Sequence, residues 1–468
     1  MTGTPEPYDD VILGTGQAGK PLARALADAG RRTVIIERGP VGGTCINVGC
    51  TPTKAMIASG RVAHLARRGD EYGVEVLGVR VDLQRVLARK RGIVEDFRDS
   101  NRARLEETPN LELIFGEARF TGPRTVQVKG SDGSERQLTG ERVFINTGVR
   151  PSIPPIAQAR AVDALTSTTL LELDQLPTHL IILGGGYIAV ELGQLYRRFG
   201  SRVTIVQRGG QLLSREDEDV AHAVAGILRE DGLELHLSAE LTGARRDDDG
   251  EVVATVETAG GSFEVRGSHL LAAAGRVPET DRLALDRAGI ETDDEGHVIV
   301  DDRLATNVPG VYALGDVKGG PAFTHVAYDD YRIVETNLLK GGDARTTGRV
   351  LPYTVFLDPE LGRVGMSERE AREAGHRVGV ARLPMAQVAR AVERGETRGF
   401  MKAVVDTDTG AILGCAILGV EGGEVASVLQ VAMMGGLPWT ALRDGMFSHP
   451  TLAESLNNLF MSLHGDGG

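Results

Sequence analysis

Cysteine is scarce in this sequence. The chain has 468 residues but only three cysteines, Cys45, Cys50 and Cys415, too few for the disulfide framework of a secreted protein. We therefore expect a reducing compartment, the cytoplasm. There, a close pair such as Cys45 and Cys50 indicates a redox-active or metal-binding site rather than a structural bridge. Cys415, in an apolar strand, is predicted to be a small buried residue.

Long hydrophobic runs and an excess of positive charge are also missing. No stretch of about 18 uninterrupted apolar residues exists, which argues against a membrane span. The acidic start of the chain lacks the basic-then-apolar pattern of a signal peptide. The net charge of −13 argues against a nucleic-acid or anionic-membrane binder. Hydrophobic residues make up 41%, enough for large cores, and the length predicts about three domains.

Glycine, by contrast, is abundant and clustered. Two segments, from Asp9 to Glu37 and from Leu180 to Gln207, each read as strand, glycine turn, helix and strand. We call them the first and second βαβ motifs. Such a turn places a dinucleotide pyrophosphate on the helix N-terminus, and two copies in this context are a strong signal. The predicted phosphate-binding glycines are Gly14, Gly16 and Gly19 in the first motif and Gly184 and Gly186 in the second.

The two motifs differ where their second strand ends. Glu37 lies 23 positions after Gly14, and the residue 23 positions after Gly184 is Gln207. A carboxylate at this position suits a ribose hydroxyl pair but would repel a 2′-phosphate. The first motif therefore predicts an adenosine cofactor without a 2′-phosphate, and the second favours NADPH over NADH.

Arginines near this position are a weaker signal. Arg208 follows Gln207 and suits a 2′-phosphate, but Arg38 follows Glu37 in the same way. The missing acid at Gln207 therefore carries the prediction of NADPH, with Arg215 as a further candidate contact.

The most informative segment runs from Gly42 to Lys54 and contains both close cysteines. It follows the second strand of the first motif, where ligands gather at strand ends. Pro52 suits the first turn of a helix, which would place Lys54 on the same face as Cys50. A thiolate near a helix start and a lysine has a lowered pKa, as nucleophilic chemistry needs. A disulfide, a half metal site and two inert thiols stay open, and zinc is not expected because no second Cys/His pair follows.

The rest of the chain predicts further elements. Strands are expected within Val143–Pro151, Leu270–Pro278 and Val311–Asp316. Beyond about Gly348, valine-rich strands alternate with helices, which predicts a separate α+β domain. Its predicted strands are Thr354–Leu357, Met401–Val405 and Ala411–Leu418, and its predicted helices are Ser367–Ala374, Gly422–Met434 and Thr451–Leu463.

Gly43-Thr44-Cys45, Cys50 and Lys54, between two dinucleotide fingerprints, resemble the FAD-dependent pyridine nucleotide–disulfide oxidoreductases. That family includes dihydrolipoamide dehydrogenase, glutathione reductase and mercuric reductase, and the resemblance covers almost the whole chain. Within the family, Gly14–Gly19 and Phe323–Arg332 are most similar to the mercuric-reductase-like branch. This branch includes reactive-chlorine-resistance copper(II) reductases.

The resemblance implies an α/β fold. Two Rossmann-like dinucleotide-binding domains, the second inserted in the first, are joined by a C-terminal α+β dimerisation domain. The implied boundaries are 1–152 and 275–346 for FAD, 153–274 for NAD(P)H and 347–468 for dimerisation. The implied assembly is a homodimer whose active site is shared across the interface.

The resemblance also assigns cofactor contacts. Tyr187 would gate the nicotinamide pocket, and Glu191 would pair with Lys54 beside the flavin. Besides the fingerprint glycines, Glu37, Gln207 and Arg208, the implied contacts are Gly43, Thr44, Lys54, Thr147, Gly148, Tyr187, Glu191, Gly275, Arg276, Gly315 and Asp316.

For catalysis, the resemblance implies that Cys50 faces the flavin and Cys45 exchanges with substrate. His449 would enter the partner's active site as the acid–base, and Glu454 would hold its imidazole. A thiol–disulfide enzyme needs such a base, and histidine titrates in the right range. Thr451-x-x-Glu454 is also a capping-box pattern, so Glu454 alternatively starts a helix.

The acceptor stays open between a small disulfide and a thiophilic metal ion, Hg(II) or Cu(II), held transiently by Cys45 and Cys50. No resident metal is expected. Two departures from the family pattern are a C-terminal end without the cysteine pair of mercuric reductases and Glu279 where asparagine is usual. We therefore do not expect mercury delivery through such a pair. The alternatives are dihydrolipoyl dehydrogenase and a redox-sensing flavoprotein.

Overall fold

The structure, a computed structural model, describes residues 4–154 and 162–463. The chain separates into two compact units. Unit 1 comprises Met1–Ala55, Leu87–Ser152 and Gly275–Arg349, and unit 2 comprises Met56–Val86, Ile153–Ala274 and Val350–Gly468. The three-domain boundaries predicted from the sequence stay a prediction.

The described residues form the following elements. The strands are β1 (Glu6–Leu13), β2 (Thr33–Glu37), β3 (Leu111–Phe115), β4 (Glu117–Gly122), β5 (Thr125–Lys129), β6 (Glu135–Ile145), β7 (Val149–Pro151), β8 (His179–Leu183), β9 (Arg202–Gln207), β10 (Glu234–Leu237), β11 (Glu240–Arg246), β12 (Val252–Thr258), β13 (Gly261–Gly267), β14 (His269–Ala272), β15 (Arg276–Pro278), β16 (Val311–Ala313), β17 (Pro352–Val355), β18 (Glu360–Gly365), β19 (Val378–Pro384), β20 (Phe400–Asp406) and β21 (Ile412–Gly419). The helices are α1 (Gly19–Asp28), α2 (Gly43–Asn47), α3 (Cys50–Arg67), α4 (Leu83–Glu106), α5 (Ser167–Leu170), α6 (Tyr187–Phe199), α7 (Glu218–Glu230), α8 (Thr324–Leu339), α9 (Glu368–Glu373), α10 (Ala389–Glu393), α11 (Gly422–Met434), α12 (Trp439–Arg443) and α13 (Ser455–Met461).

Unit 1 is built on a sheet with strand order β3-β2-β1-β6-β5-β4, with β16 also paired to β6. Strands β3, β2, β1, β6 and β16 pair in parallel, and β4 and β5 continue the sheet antiparallel. Successive residues of β1 enter different apolar clusters, Val11 and Leu13 on one face and Ile12 on the other. Burial on both faces explains why this strand is a continuous apolar run.

The register of these strands positions the candidate site. Leu13 lies opposite Ile36 of β2 and Ile145 of β6, and Ile145 lies opposite Ala313 of β16. Parallel pairing therefore brings the carboxyl ends of four strands to one edge of the sheet. The segments that follow these strands contain most of the predicted flavin-site residues.

Unit 2 contains a parallel sheet of order β10-β9-β8-β14, a β11-β12-β13 meander and an antiparallel sheet of order β17-β18-β21-β20-β19. In the parallel sheet, Leu183 lies opposite both Val206 and Ala272. Helices α11, α12 and α13 pack on the antiparallel sheet around a core that includes Cys415, which is fully buried as expected. Among the described residues, no helix has the length and apolar character needed to cross a membrane.

Most predicted elements are present, and two are displaced. The strand expected at Thr354–Leu357 ends at Val355, because the next backbone donor, the Phe356 N–H, donates to Glu191 instead of a neighbouring strand. The helix expected from Thr451 begins at Ser455, since the preceding residues form a turn. The sequence did not predict α4 or the β11-β12-β13 meander.

Candidate active site

The first glycine turn closes on itself. Gly14, at the end of β1, has φ +102°, and a Cβ there would lie 2.5 Å from the Asn146 carbonyl oxygen. A Cβ on Gly19 would collide with the Gly14 carbonyl oxygen, and one on Gly16 would lie 2.7 Å from the Asn146 carboxamide. Glycine therefore suits these positions, and the tight turn leads directly into α1, whose N-terminus is the kind of site that binds a phosphate.

Glu37 is held in place by residues of this turn. Its carboxylate accepts a hydrogen bond from the Thr15 hydroxyl at 2.5 Å and from the backbone N–H groups of Thr15 and Gly39 at 3.0 and 2.9 Å. The Thr15 hydroxyl in turn accepts from the Gly42 N–H at 3.0 Å. Thr15, which the sequence did not identify, therefore links the glycine turn to Glu37 and to the start of the cysteine segment.

Other candidates in unit 1 leave polar groups open to a ligand. The Thr147 hydroxyl is buried without a partner among the described residues, and a Cβ on Gly148 would meet open space. Burial raises the pKa of Asp316, whose carboxylate has no hydrogen bond in the described parts of the chain. Gly43 packs so closely against Gly16 that a Cβ on Gly43 would lie 2.9 Å from the Gly16 Cα. These unsatisfied groups and glycine cradles fit a polyhydroxylated dinucleotide such as FAD.

The linker residues lie in a two-stranded ladder. Arg276, after Gly275, begins β15, and β15 pairs antiparallel with β7. The Arg276 guanidinium donates to the Val149 carbonyl at 3.1 Å. Gly315 follows β16 closely, and its N–H donates to Asp330 at 2.8 Å. The two predicted chain crossings therefore pair with each other.

The cysteine pair stands at the junction of two helices. Cys45 lies in α2 and Cys50 is the first residue of α3, and neither is in a disulfide. The hydrogen bond with Cys50, followed by burial, raises the pKa of the Cys45 thiol. Cys50 is exposed and lies 3.4 Å from the Thr324 hydroxyl, which begins α8. Cys50 is therefore the exposed thiol of the pair, whereas the hydrogen bond and burial oppose ionisation of Cys45.

Lys20 is a buried lysine that the sequence interpretation missed. It follows Gly19 in α1 and is 7% exposed. Burial lowers the pKa of Lys20 to about 8, an effect opposed by its electrostatic interaction with Cys45. The sequence contained a sign of this burial. Lys20 lies six positions after Gly14, and the residue six positions after Gly184 is the apolar Val190, which is also buried.

Lys54 and Glu191 belong to different units, so their predicted pairing stays a prediction. Lys54 lies in α3, one turn beyond Cys50. Glu191, in α6, is 4% exposed and accepts a hydrogen bond from the Phe356 N–H at 2.8 Å.

The second glycine turn repeats the backbone of the first in a more open setting. Gly184 has φ +112°, and a Cβ there would lie 2.5 Å from the Ala273 carbonyl oxygen. Gly186 caps α6, and a Cβ on it would meet nothing within 4 Å. Tyr187 follows as the first residue of α6. The start of α6 is thus accessible to the pyrophosphate of a nucleotide.

The residues after the second strands have different partners in the two motifs. The Gln207 amide donates to the Gln211 carbonyl at 3.3 Å. Arg38 is neutralised by Glu279 at 2.8 Å. In contrast, Arg208 and Arg215 are exposed and make no ion pair with any residue that the structure describes. The two arginines of the second motif are therefore available to an anion, whereas Arg38 is already paired.

His449 and Glu454 are brought together as predicted. The His449 Nδ1 lies 2.9 Å from a Glu454 carboxylate oxygen, and the imidazole is 70% exposed. The Thr451 hydroxyl accepts from the Glu454 N–H at 3.1 Å. The Glu454 carboxylate is engaged with His449, so half of a capping box coexists with the orientation of the imidazole. This leaves Nε2 for a substrate, and the acid–base role stays a prediction.

The sequence profile described as pyridine nucleotide-disulphide oxidoreductase matches residues 8–330, and its dimerisation domain matches residues 351–460. The probable pyridine nucleotide-disulfide oxidoreductase RclA of Escherichia coli (strain K12) is 39% identical over 457 residues, which cover 97% of this chain and 98% of that protein. The mercuric reductase of Lysinibacillus sphaericus is 36% identical over 450 residues, covering 96% and 81% respectively.

A solved structure extends the likeness to the fold. The Cu(II) complex of HOCl-induced flavoprotein disulfide reductase RclA from Escherichia coli matches with a TM-score of 0.88 at 38% identity, over 97% of this chain and 99% of that chain. The predicted α/β fold and the mercuric-reductase-like resemblance are thereby confirmed, and the dimerisation domain supports a homodimer. The chain belongs to the pyridine nucleotide-disulphide oxidoreductase family, whose members are flavoproteins that use FAD and a pyridine nucleotide.

Proposed function

We propose that this protein is an NADPH-dependent flavoprotein reductase that passes electrons through Cys45 and Cys50 to a thiophilic metal ion, Cu(II) or Hg(II), or to a small disulfide. The observation that carries this proposal is the hydrogen-bonded thiol pair at the start of α3, with Cys50 exposed beside Thr324. The relatives support the metal acceptors, since RclA has a Cu(II) complex and others are mercuric reductases.

The division of labour between the thiols follows from their environments. FAD, held by the first glycine turn, Glu37 and Asp316, would supply the transfer of an electron pair from the nicotinamide to the disulfide. Cys50, exposed at the N-terminus of α3 and 3.4 Å from the Thr324 hydroxyl, is the thiol that we assign to face the flavin. Cys45 is the thiol that we assign to exchange with an acceptor, and because its pKa is raised it needs a base to take its proton. Together they present two soft sulfur ligands to Cu(II) or Hg(II).

Electron counting distinguishes the acceptors. Each NADPH provides two electrons, which reduce one disulfide to two thiols, one Hg(II) to Hg(0), or two Cu(II) to two Cu(I). Disulfide reduction also consumes protons, whereas reduction of a metal ion does not. His449 of the partner subunit, held through Nδ1 by Glu454, is the group we assign to deliver the proton through Nε2.

The nucleotide preference rests on charge. A 2′-phosphate requires positive groups that are not already neutralised, and Arg208 and Arg215 meet this requirement in the described structure. Gln207 brings no repelling carboxylate. We therefore assign NADPH, rather than NADH, as the preferred reductant.

An acceptor panel tests the proposed function. The holoenzyme is supplied with NADPH or NADH, and nucleotide oxidation is followed with Cu(II) plus a Cu(I) chelator, Hg(II), glutathione disulfide and lipoamide. We expect Cys45→Ser and Cys50→Ser to abolish disulfide turnover and to slow metal reduction at least about tenfold. Cys415→Ala, which removes a buried thiol, is the matched control. Metal reduction at the unmutated rate in both serine variants would contradict the thiol route.

His449→Ala separates the two kinds of acceptor. A general acid–base typically contributes about 10²–10⁴-fold, so turnover of a small disulfide should fall by that range. Metal reduction, which needs no proton at this position, should fall far less. Equal losses for both acceptors, or no loss for either, would remove His449 from this role and leave the Thr451–Glu454 turn as a structural feature.

Dihydrolipoyl dehydrogenase is a second candidate, favoured by the His449–Glu454 pair at 2.9 Å, because that pair suits thiol–disulfide exchange. It predicts rapid reduction of NAD⁺ by dihydrolipoamide. The absence of a carboxylate at Gln207 counts against it, since NAD⁺ is the nucleotide that a carboxylate would select.

A further inference from the structure

The loop that follows β9 is fastened to the glycine turn of the second motif. We call residues 208–215 the arginine loop, since Arg208 and Arg215 stand at its two ends. The Leu213 N–H donates to the Gly185 carbonyl at 2.8 Å, so the loop lies directly against the turn. Gln211 closes the loop internally by donating to the Glu216 carbonyl at 3.1 Å.

Immediately beyond the loop, Glu216 is held by the antiparallel-sheet part of unit 2. It is 2% exposed and forms an ion pair with the Arg363 Nε at 3.0 Å. The hydroxyl of Tyr353 donates to the same carboxylate. Arg363, itself 3% exposed, donates through another nitrogen to the Cys415 carbonyl at 2.7 Å. Glu216 is therefore fixed to β17 and β18 directly, and to β21 only through Arg363.

Asp217 provides a second attachment to the same part of the chain. Its carboxylate accepts from the backbone N–H groups of Glu368 and Arg369 at 2.9 and 3.2 Å, where α9 begins. The buried Lys402 of β20 donates to it at 3.1 Å. Lys402 also pairs with Asp219 at 3.0 Å. Two consecutive acids thus fix the C-terminal end of the arginine loop.

Burying the carboxylates of Glu216 and Asp217 costs desolvation free energy, so we ask what their burial achieves. Burial raises the pKa of Glu216 from its ordinary value, the direction expected for a carboxylate taken from water. A buried ion pair is weak support for stability, because apolar residues of the same volume often do as well. A buried pair does, however, fix geometry. The geometry fixed here is that of a loop whose middle contains two exposed glycines, Gly209 and Gly210.

We propose that Glu216 and Asp217 are positioning residues that set the nucleotide preference of the enzyme, by holding Arg208 and Arg215 where they meet the 2′-phosphate of NADPH. This inference rests on the proposed preference for NADPH. Neither acid touches the nucleotide; each acts through the loop. The part of the chain that builds the dimerisation sheet therefore also determines how well the second motif discriminates between NADPH and NADH.

The test compares two nucleotides on the holoenzyme with a fixed acceptor. Glu216→Gln leaves Arg363 without its countercharge and should raise the KM for NADPH about tenfold, while the KM for NADH changes less than about twofold. The kcat with saturating NADPH should be unchanged. Tyr353→Phe removes one hydrogen bond and no charge, so it should give a smaller shift in the same direction, about threefold. Glu218→Gln, at an exposed neighbouring acid, is the matched control and should shift neither KM.

Ligand binding gives an independent measurement. Adenosine 2′,5′-bisphosphate and AMP differ by the 2′-phosphate alone, and their inhibition constants should draw together in Glu216→Gln and in Asp217→Asn. Flavin content and thermal unfolding establish that each variant is folded, and Tyr353→Phe keeps the test available where a charge variant is not.

The outcomes separate this inference from the proposed function. An unmutated enzyme that binds adenosine 2′,5′-bisphosphate no better than AMP overturns the preference for NADPH itself. An unmutated enzyme that discriminates, together with Glu216→Gln and Tyr353→Phe variants that discriminate equally well, overturns the positioning role alone. Equal increases in the KM for both nucleotides would also overturn it, since that result is general damage to the site.

Discussion

The two βαβ motifs share a backbone and differ in what surrounds it. Gly14 and Gly184 both end a first strand with left-handed φ values, +102° and +112°, and a Cβ on either would lie 2.5 Å from a carbonyl oxygen. Around the first turn, the Asn146 carboxamide and the Gly43 backbone pack against Gly16. Around the second, the corresponding space beside Gly186 is open.

The difference in enclosure and charge fits two kinds of ligand. The first motif surrounds its ligand site with its own neighbours, and the paired Arg38 leaves no free positive charge after the second strand. The second motif is open at the helix start, and its two arginines make no ion pair within the part of the chain that the structure describes. The loop that contains them is held from the antiparallel sheet. An enclosed site suits a cofactor that stays bound, and an open site suits a nucleotide that exchanges at every turnover.

The sharpest way to break the comparison is to remove the shared glycine from each motif in turn. Gly14→Ala and Gly184→Ala each place a Cβ against a carbonyl oxygen at a backbone conformation that L residues rarely adopt. We expect Gly14→Ala to be purified with little flavin, about a tenth of the normal content or less, and to be inactive. Gly184→Ala should keep its flavin and lose NADPH oxidation. The ratio of flavin to protein absorbance and stopped-flow reduction by NADPH measure the two effects.

Retention of flavin by both variants would contradict the assignment of the first turn to FAD. Loss of flavin from both would mean that the motifs do not act separately. Gly30→Ala, at a glycine with φ +80° but open space for a Cβ, is the matched control, because it carries the backbone strain without the collision.

The next largest effect comes from giving the second motif the acid that ends the first. Gln207→Glu replaces a donor to the Gln211 carbonyl with a carboxylate that this carbonyl repels, so the side chain should turn towards the nucleotide. A charge contact to a phosphate is worth about 1.5–3 kcal/mol, so the kcat/KM ratio of NADPH to NADH should fall roughly tenfold to a hundredfold. A higher kcat/KM for NADH in the unmutated enzyme would show that the inference from Gln207 is wrong.

The contrast between the motifs also shows what a sequence can predict. Gly14, Glu37 and Gln207 were identified because each lies at a fixed distance from its neighbours along the chain, and local spacing decides the turn. Asn146 and Thr324 were not identified as contacts, because they reach the glycine turn and Cys50 from strands and helices far away in the sequence.

Contacts between segments far apart in the sequence also explain the displaced elements of unit 2 and the residues that were not predicted there. The strand around Thr354 ends early because Glu191, more than a hundred residues away, takes the Phe356 N–H. Glu216 reads as one acid in an acidic stretch, and its burial against Arg363 depends on packing of distant segments. Apolar periodicity predicts which face of an element is buried, but it does not predict which polar group from a distant segment contacts that element.

A third experiment concerns the buried Lys20, whose matched position in the second motif is the buried Val190. Burial lowers the pKa of Lys20 to about 8, so between pH 8 and its unfolded pKa near 10.5 the unfolded chain binds more protons than the folded one. Stability from this group therefore rises with pH across that window and is lowest below pH 8. Lys20→Met, which removes the buried charge, should stabilise the protein at pH 7 by roughly 2–3 kcal/mol and abolish this slope.

Denaturant unfolding of the holoenzyme at intervals from pH 7 to pH 10.5 measures this effect. A parallel assay of disulfide turnover shows whether the lysine also supports Cys45, with which it interacts. If Lys20→Met is less stable at pH 7 than the unmutated protein, the charged lysine is satisfied in the native state and its burial carries no net cost.

The smallest expected effect concerns the arginine of the first motif. Arg38 is 46% exposed and its partner Glu279 is 10% exposed. Glu279→Gln would free Arg38 and make the first motif resemble the second in this respect. Pairs with one exposed partner are worth about 0–1 kcal/mol, so flavin affinity should change no more than about fivefold. The carboxylate of Glu37, fixed by Thr15, still repels a 2′-phosphate in this variant. We therefore expect that adenosine 2′,5′-bisphosphate does not compete with FAD for the apoprotein. Glu279 also pairs with Arg150, at 3.4 Å, and Arg150 pairs in turn with Asp281 at 3.1 Å. Asp281→Asn, which removes an acid from Arg150 and leaves the Arg38–Glu279 pair intact, is the matched control. Competition that appears with Glu279→Gln alone would mean that pairing of Arg38, rather than the acid at Glu37, distinguishes the two motifs.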